Sequence, residues 1–408
     1  MNPLFACPAV LLSPEPALNV PLVMLIVFVT AKLLAECFEW LGQPGIVGEI
    51  LAGVLIGPSL LNWVTPGSFL THLSEVGVMF LLFRVGLEVK STEMLRAGGT
   101  GFVVAACGVV VPFFMGWGIL SLWGHSRIES IFVGASMVAT SVGITAQVLA
   151  ARGLLSLKAS QVILAAAVID DVLGLLVLAL VSSMARGQVN VLEIVLTVSL
   201  ASAFVILVAV WGAKAMRVVR PHVEEKLKVA EAEFALAIFL MLGFSVLAVY
   251  AGVAAIVGAF LAGMAMGETA GERVRTLVHG GSELLVPFFL VGIGLRIDLS
   301  VLRNPATVAL ALIILVAACV SKFIGCGIGA LGMGPKNAIR IGVGMVPRGE
   351  VGMIVAQLGL AIGAMSTEVY GVVVFMAVAT TLLAPPLIKI FFPADKIESV
   401  DAVSAPPA

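Results

Sequence analysis

Apolar runs broken at Gly, Pro and charged clusters divide this chain into thirteen segments. They lie at about 19–42, 46–61, 70–89, 98–124, 129–153, 155–187, 191–213, 232–252, 254–268, 277–298, 305–332, 335–363 and 366–392. Most are long enough for a helix to cross a hydrocarbon core of about 30 Å, which takes roughly 20 apolar residues. The segments at 46–61 and 254–268 are short and rich in Gly, so they need close packing against neighbours to cross. The pattern predicts an all-α polytopic membrane protein of about thirteen transmembrane helices.

Composition agrees and narrows the class. Of 408 residues 61% are hydrophobic and 12% charged, with a mean hydropathy of +1.16. Soluble α/β enzymes do not reach such values. The net charge of −1 says nothing about nucleic acid by itself, but the basic residues are dispersed rather than patched, and no nucleic-acid partner is expected. The five cysteines (7, 37, 107, 319 and 326) have neither metal-ligand spacing nor a disulfide framework. No basic residue precedes the first apolar segment, unlike a cleavable signal peptide. With the N-terminus outside, inner loops and tail hold fifteen Lys and Arg, outer loops four, and the spans another four. That bias predicts an N-out, C-in topology.

The chain repeats itself. Ile46-Val47-Gly48-Glu49-Ile50-Leu51-Ala52-Gly53-Val54-Leu55-Ile56-Gly57 and Ile256-Val257-Gly258-Ala259-Phe260-Leu261-Ala262-Gly263-Met264-Ala265-Met266-Gly267 agree at seven of twelve positions. Phe80–Leu87 and Phe288–Leu295 match at a similar offset. The copies are seven spans apart, an odd number, so they run in opposite directions through the membrane. Inverted repeats of this kind put a transporter's site near the midplane at their interface. The organisation read here is a first repeat at 1–187, a linking helix and cytoplasmic loop at 188–231, a second repeat at 232–392 and a short tail at 393–408. Extending the repeat pairs 129–153 with 335–363. The first carries Ala139-Thr140-Ser141-Val142-Gly143-Ile144-Thr145, and the second Val346-Pro347-Arg348-Gly349-Glu350. Both are expected to break and cross, because Pro and Gly interrupt helices and a broken span is tolerated only where it lines a cavity or is buried in protein.

Charge inside the spans points to the chemistry. Asp170 and Asp171 sit in the middle of 155–187, where each ionised carboxylate costs roughly 2.5–3.5 kcal/mol to insert. Lys322 is about ten residues from the nearer end of its span, roughly 15 Å, too deep to snorkel, so it needs an anion such as Asp170 or Asp171. Carboxylate, hydroxyl and freed carbonyl oxygens are hard ligands suited to Na⁺ or Li⁺. A sodium site of Asp171, Asp170 and Thr140, with Ser141 beside it, can hold either protons or a cation. Competition between the two at an alternating-access site is antiport. Arg348 and Glu350 at the Pro347 break read equally as an ion pair that compensates half-helix ends or as ion-handling groups. Local charges read more simply: Lys32 pairs with Glu36 or Glu39 along one helix, Glu49, Arg84 and Glu88 form a satellite network, His222 and His279 lie in inner loops, and Lys214–Glu233 is a linker.

Taken together, Gly42-Gln43-Pro44 with Val47-Gly48-Glu49, Ala139–Thr145, Val168-Ile169-Asp170-Asp171, Lys322 and Pro347-Arg348-Gly349-Glu350 resemble bacterial sodium/proton antiporters of the second branch of the cation:proton antiporter superfamily. The resemblance covers almost the whole chain. It implies a homodimer in the bacterial cytoplasmic (inner) membrane and a core domain that moves like an elevator, with no cofactor beyond the transported Na⁺ or Li⁺ and H⁺. By resemblance Asp171 carries the cation and proton, Asp170 pairs with Lys322 until the cation binds, and two protons exchange for each sodium. The nearest alternative is potassium/proton exchange or potassium efflux on the same fold. Its glutathione-gated members carry Gln-Asp and a soluble nucleotide-binding domain. A channel would need a continuous path. An intramembrane aspartyl protease would need its aspartates on separate helices.

Overall fold

The computed structural model describes residues 20–185, 191–226, 231–299 and 304–392. Its elements are α1 (Val20–Trp40), α2 (Gly45–Ile56), α3 (Ser68–Glu88), α4 (Ser91–Trp123), α5 (Arg127–Ser136), α6 (Val142–Ala151), α7 (Lys158–Ala185) and α8 (Val191–Lys226). There follow α9 (Ala232–Tyr250), α10 (Ala255–Gly267), α11 (Glu272–Leu295), α12 (Pro305–Gly329), α13 (Pro335–Gly344), α14 (Glu350–Ala361) and α15 (Thr367–Phe391). Among the described residues there is no strand, and nine helices are long and apolar enough to span a membrane.

The thirteen apolar segments correspond to these helices, and the two expected breaks are present. One segment becomes α5 and α6, another α13 and α14. Pro347 offers no N–H and disfavours helical geometry at Val346, which fixes the second interruption. Helix starts are local in origin. Ser126 accepts from the Glu129 N–H, Asn304 from the Ala306 N–H ahead of a Pro at the first turn, and Ser366 from the Val369 N–H; each satisfies a donor the helix leaves free. One boundary differs from expectation. The stretch from Lys214 read as a linker is helical as far as Lys226, so α8 runs on past the apolar segment.

The short helices α2 and α10 hold their places through glycine. A Cβ at Gly53 would strike the Val291 carbonyl of α11, and one at Gly263 the Phe83 carbonyl of α3. Reciprocally, Gly294 of α11 abuts the Ile50 carbonyl and Gly86 of α3 abuts the Phe260 carbonyl. Gly48 against Leu34 and Gly258 against Phe244 complete the set. Each of these glycine contacts of α2 thus has a counterpart at α10, the packing signature of an inverted repeat. Without Cβ atoms these backbones approach closely, the device that membrane helices use where lipid supplies no hydrophobic drive.

Two bundles result. One holds α1–α3 with α9–α11, and the other holds α4–α7 with α12–α15; α8 lies against α9 and α10 of the first and α7 of the second. The second has its own core of Leu120, Phe132, Ile314, Ala318, Val373 and Met376. Leu25 and Leu33 of α1, Leu200 and Trp211 of α8, and Phe239 and Tyr250 of α9 are exposed apolar side chains, an outer surface suited to lipid.

Candidate ion-binding site

The second bundle converges on Lys322 of α12. Its ammonium donates to Asp170 Oδ1 at 3.0 Å and Oδ2 at 3.3 Å, to the Gly108 carbonyl of α4 at 2.9 Å and to the Val138 carbonyl at 2.7 Å. Val138 lies in the α5–α6 break, so its carbonyl is one that the helix no longer uses. Both charged partners are essentially inaccessible, Lys322 at 0% and Asp170 at 1% exposure. An ammonium has three donors, and these acceptors use them all. Four segments are tied together at one nitrogen.

Asp171 follows on α7 but turns about 100° from Asp170. It lines a narrow cleft with Thr140, Ser141, Arg348 and Gly349. This cleft reaches Asp171 from the end where α3 begins and α11 finishes, since Thr71 and Arg296 also line it. The Thr140 hydroxyl is buried with no hydrogen-bond partner among the described residues. It is therefore available to an ion.

The two breaks hold one another. The Ser141 N–H donates to the Pro347 carbonyl at 2.9 Å, and Thr145 Oγ1 donates to the Gly344 carbonyl at 2.6 Å. A Cβ on Gly349 would come within 2.8 Å of Ser141 Cβ, so the crossing requires glycine there. From α15, Thr380 Oγ1 accepts the Arg348 N–H at 3.1 Å and Thr381 Oγ1 donates to the Arg348 carbonyl at 2.7 Å. The sequence reading missed this pair; its only signal was two adjacent hydroxyls deep in an apolar span. Arg348 itself is fully buried. Its Nη2 donates to the Ala318 carbonyl at 2.9 Å, whereas Nε and Nη1 have no partner among the described residues. Glu350 opens α14, and its side chain lies outside the described residues.

The structure therefore brings Asp170, Lys322 and the first break into contact, and sets Asp171, Thr140, Ser141 and Arg348 around one cleft. Away from it, two local expectations are corrected. Lys32 pairs with Glu49 of α2 at 3.0 Å, not with Glu36, which accepts from Trp40 Nε1, nor with Glu39, which accepts the Gly45 N–H. Arg84 pairs with Glu283 of α11 at 3.4 Å, not with Glu49 or Glu88. In both, tertiary packing offers a carboxylate that sequence spacing cannot reveal. His279 lies within α11 rather than in a loop and lines a cleft between α3 and α11, and the side chain of His222 lies outside the described residues.

A family model described as "Sodium/hydrogen exchanger, transmembrane" matches residues 23–393. The chain belongs to the sodium/hydrogen exchanger family. This exchanger is 33% identical over 376 residues to the Na(+)/H(+)-K(+) antiporter GerN of Bacillus cereus, which covers 90% of this chain and 95% of GerN. It is 31% identical to the high-affinity Na(+)/H(+) antiporter NhaS3 of Synechocystis, across 97% of this chain and 94% of that one. Among solved structures it superposes on the sodium proton antiporter MjNhaP1 of Methanocaldococcus jannaschii with a TM-score of 0.66 at 16% identity, over 90% of this chain and 94% of that one. That likeness establishes the antiporter fold. The exchanger is accordingly a multi-pass membrane transporter and not an enzyme.

Proposed function

We propose that this exchanger moves sodium or lithium against protons through Asp171 and Asp170, at two protons per sodium. The observation that carries the reading is the buried Lys322–Asp170 pair beside an Asp171 that faces the cleft. In the proton-loaded form Asp171 holds one proton and Lys322 the other, as the ammonium paired with Asp170. A sodium ion that reaches Asp171, Asp170 and the Thr140 hydroxyl takes the anionic partner away from Lys322. Two protons leave, one from the Asp171 carboxyl and one from the ammonium, as one sodium enters, so each cycle moves one net charge. Low dielectric at the site makes the three-way competition steep. Arg348 stays charged throughout and offsets the carboxylates.

Alternating access follows if the α4–α7/α12–α15 bundle slides against the other as an elevator, with homodimers joined through the exposed apolar face of α1. With the N-terminus outside the bacterial inner membrane, the Asp171 cleft opens outward. At the opposite end Lys389 of α15 donates to the Gly42 carbonyl and bridges the bundles. The GerN likeness favours a second reading, in which potassium is also carried.

The test is dissipation of an imposed pH gradient in proteoliposomes by Na⁺, Li⁺ and K⁺ in turn. Responses to Na⁺ and Li⁺ that vanish in Asp171→Asn support the proposal. A response to K⁺ alone moves the assignment to potassium, and activity surviving Asp171→Asn removes Asp171 as carrier.

A further inference from the structure

The inverted repeat extends beyond the apolar motifs. Aligning Phe80–Leu87 with Phe288–Leu295 sets Ser74-Glu75 of α3 against Ser282-Glu283 of α11, so both copies carry Ser-Glu at the same position. The structure gives that coincidence a place. Ser74 and Glu75 line the narrow cleft that leads to Asp171, whereas Ser282 and Glu283 line a second, wider cleft at the opposite end of the bundles. Glu75 and Glu283 thus stand at the two mouths on helices related by the repeat, and the second mouth also holds Glu36, Glu39 and Glu49 with Lys32, Arg152 and Lys389.

The two equivalent carboxylates differ in their partners. At the second cleft Glu283 has the Arg84 guanidinium at 3.4 Å. The position equivalent to Arg84 in the other copy is Gly292 of α11, which lines the Asp171 cleft. No side chain fits there, since a Cβ at Gly292 would lie 2.6 Å from Ser74 Oγ. That hydroxyl is itself pinned by donating to the Phe288 carbonyl at 2.8 Å. Arg296, one turn further along α11, also lines this mouth, but among the described residues Glu75 makes no ion pair with it. Glu75 is exposed and its field is open to the cleft, while that of Glu283 is cancelled at short range by Arg84.

We propose that Glu75 and Glu283 are one vestibule carboxylate repeated at the two faces of the membrane, each drawing the monovalent cation to its own mouth, and that Arg84 masks the second. Both are positioning residues: they raise the local cation concentration and do not hold the ion during exchange. The proposal rests on the antiport reading above, with cations passing through these clefts. It gives the two faces different apparent affinities.

Right-side-out and everted membrane vesicles from the same cells, with sodium added outside them, test it. The readout is apparent KM and maximal rate at low and physiological ionic strength. Glu75→Gln raises KM roughly threefold in one vesicle orientation only, and Arg84→Gln lowers it roughly threefold in the other, as expected for one unit charge acting through water at cleft distances. The gain from Arg84→Gln disappears in the Arg84→Gln/Glu283→Gln double variant. Maximal rates stay unchanged, which separates capture from folding or exchange. Every effect shrinks as the screening length falls from about 30 Å at 0.01 M to about 8 Å at 0.15 M. The idea is overturned if the two substitutions act on the same face, if they alter only the maximal rate, or if KM shifts ignore ionic strength. Asp171→Asn is run in parallel. Transport by that variant removes the carrier assignment while the KM pattern still decides the vestibule proposal.

Discussion

At the level of single residues, burial cost made the centre of this protein visible in the sequence. Asp170, Asp171 and Lys322 announced themselves because a charge in hydrocarbon needs a partner. Thr380 and Thr381 did not, because a threonine in a helix can satisfy itself on a carbonyl one turn back, as both do on Ala377. Lys32 misled for the opposite reason: Glu36 is the nearest carboxylate along the chain, but Glu49 is nearest in space. Two outcomes follow from the geometry. Lys322→Met leaves Asp170 as an uncompensated buried charge and costs about 3–5 kcal/mol, read as a lower melting temperature in detergent, while Asp170→Asn/Lys322→Met recovers most of it. Thr140→Val removes a hydroxyl that bonds nothing among the described residues, so stability changes by less than about 1 kcal/mol. Its apparent KM for sodium, measured in proteoliposomes, rises roughly tenfold if the hydroxyl is an ion ligand, by the loss of one charge-assisted contact.

Among elements, the two broken helices were legible and the length of α8 was not. Pro347 with flanking glycines cannot continue a helix, and Thr140-Ser141 marks the complementary weak point. Hydropathy locates where a helix leaves the apolar core rather than where it ends. Arg217, Arg220, Glu224, Glu225 and Lys226 are good helix formers, and α8 continues to Lys226 in spite of Pro221, which lacks the two glycines that flank Pro347. The crossing itself depends on small residues. Gly349→Ala forces a shift against Ser141 and displaces Thr140 from the cleft, so exchange falls at least tenfold by loss of positioning. Gly118→Ala, on α4 with open space around it, leaves rate and melting temperature within error. Equal losses from both substitutions would remove the special role given to the crossing.

For the whole molecule, the repeat was legible in two short motifs, while its reciprocal packing needed coordinates. The contacts of Gly53 and Gly263 with the opposite copies explain how helices of 12 and 13 residues persist between longer neighbours. Topology rests on the Lys and Arg bias, and Cys37 gives a direct check. It is exposed near the end of α1 that the proposed orientation puts at the cytoplasmic face. A membrane-impermeant maleimide, used on a Cys7→Ser background, labels Cys37 in everted vesicles and spares it in right-side-out ones. The reverse pattern inverts the topology.

The central claim is that sodium and two protons compete for one set of side chains, Asp171, Asp170 and Lys322. Calorimetric titration of the purified protein with sodium, repeated in buffers of different ionisation enthalpy, counts the protons released as the ion binds. The account predicts two protons per sodium, weaker binding as pH falls, and no binding heat in Asp171→Asn. Sodium binding that releases no proton, or that persists in Asp171→Asn, would contradict it.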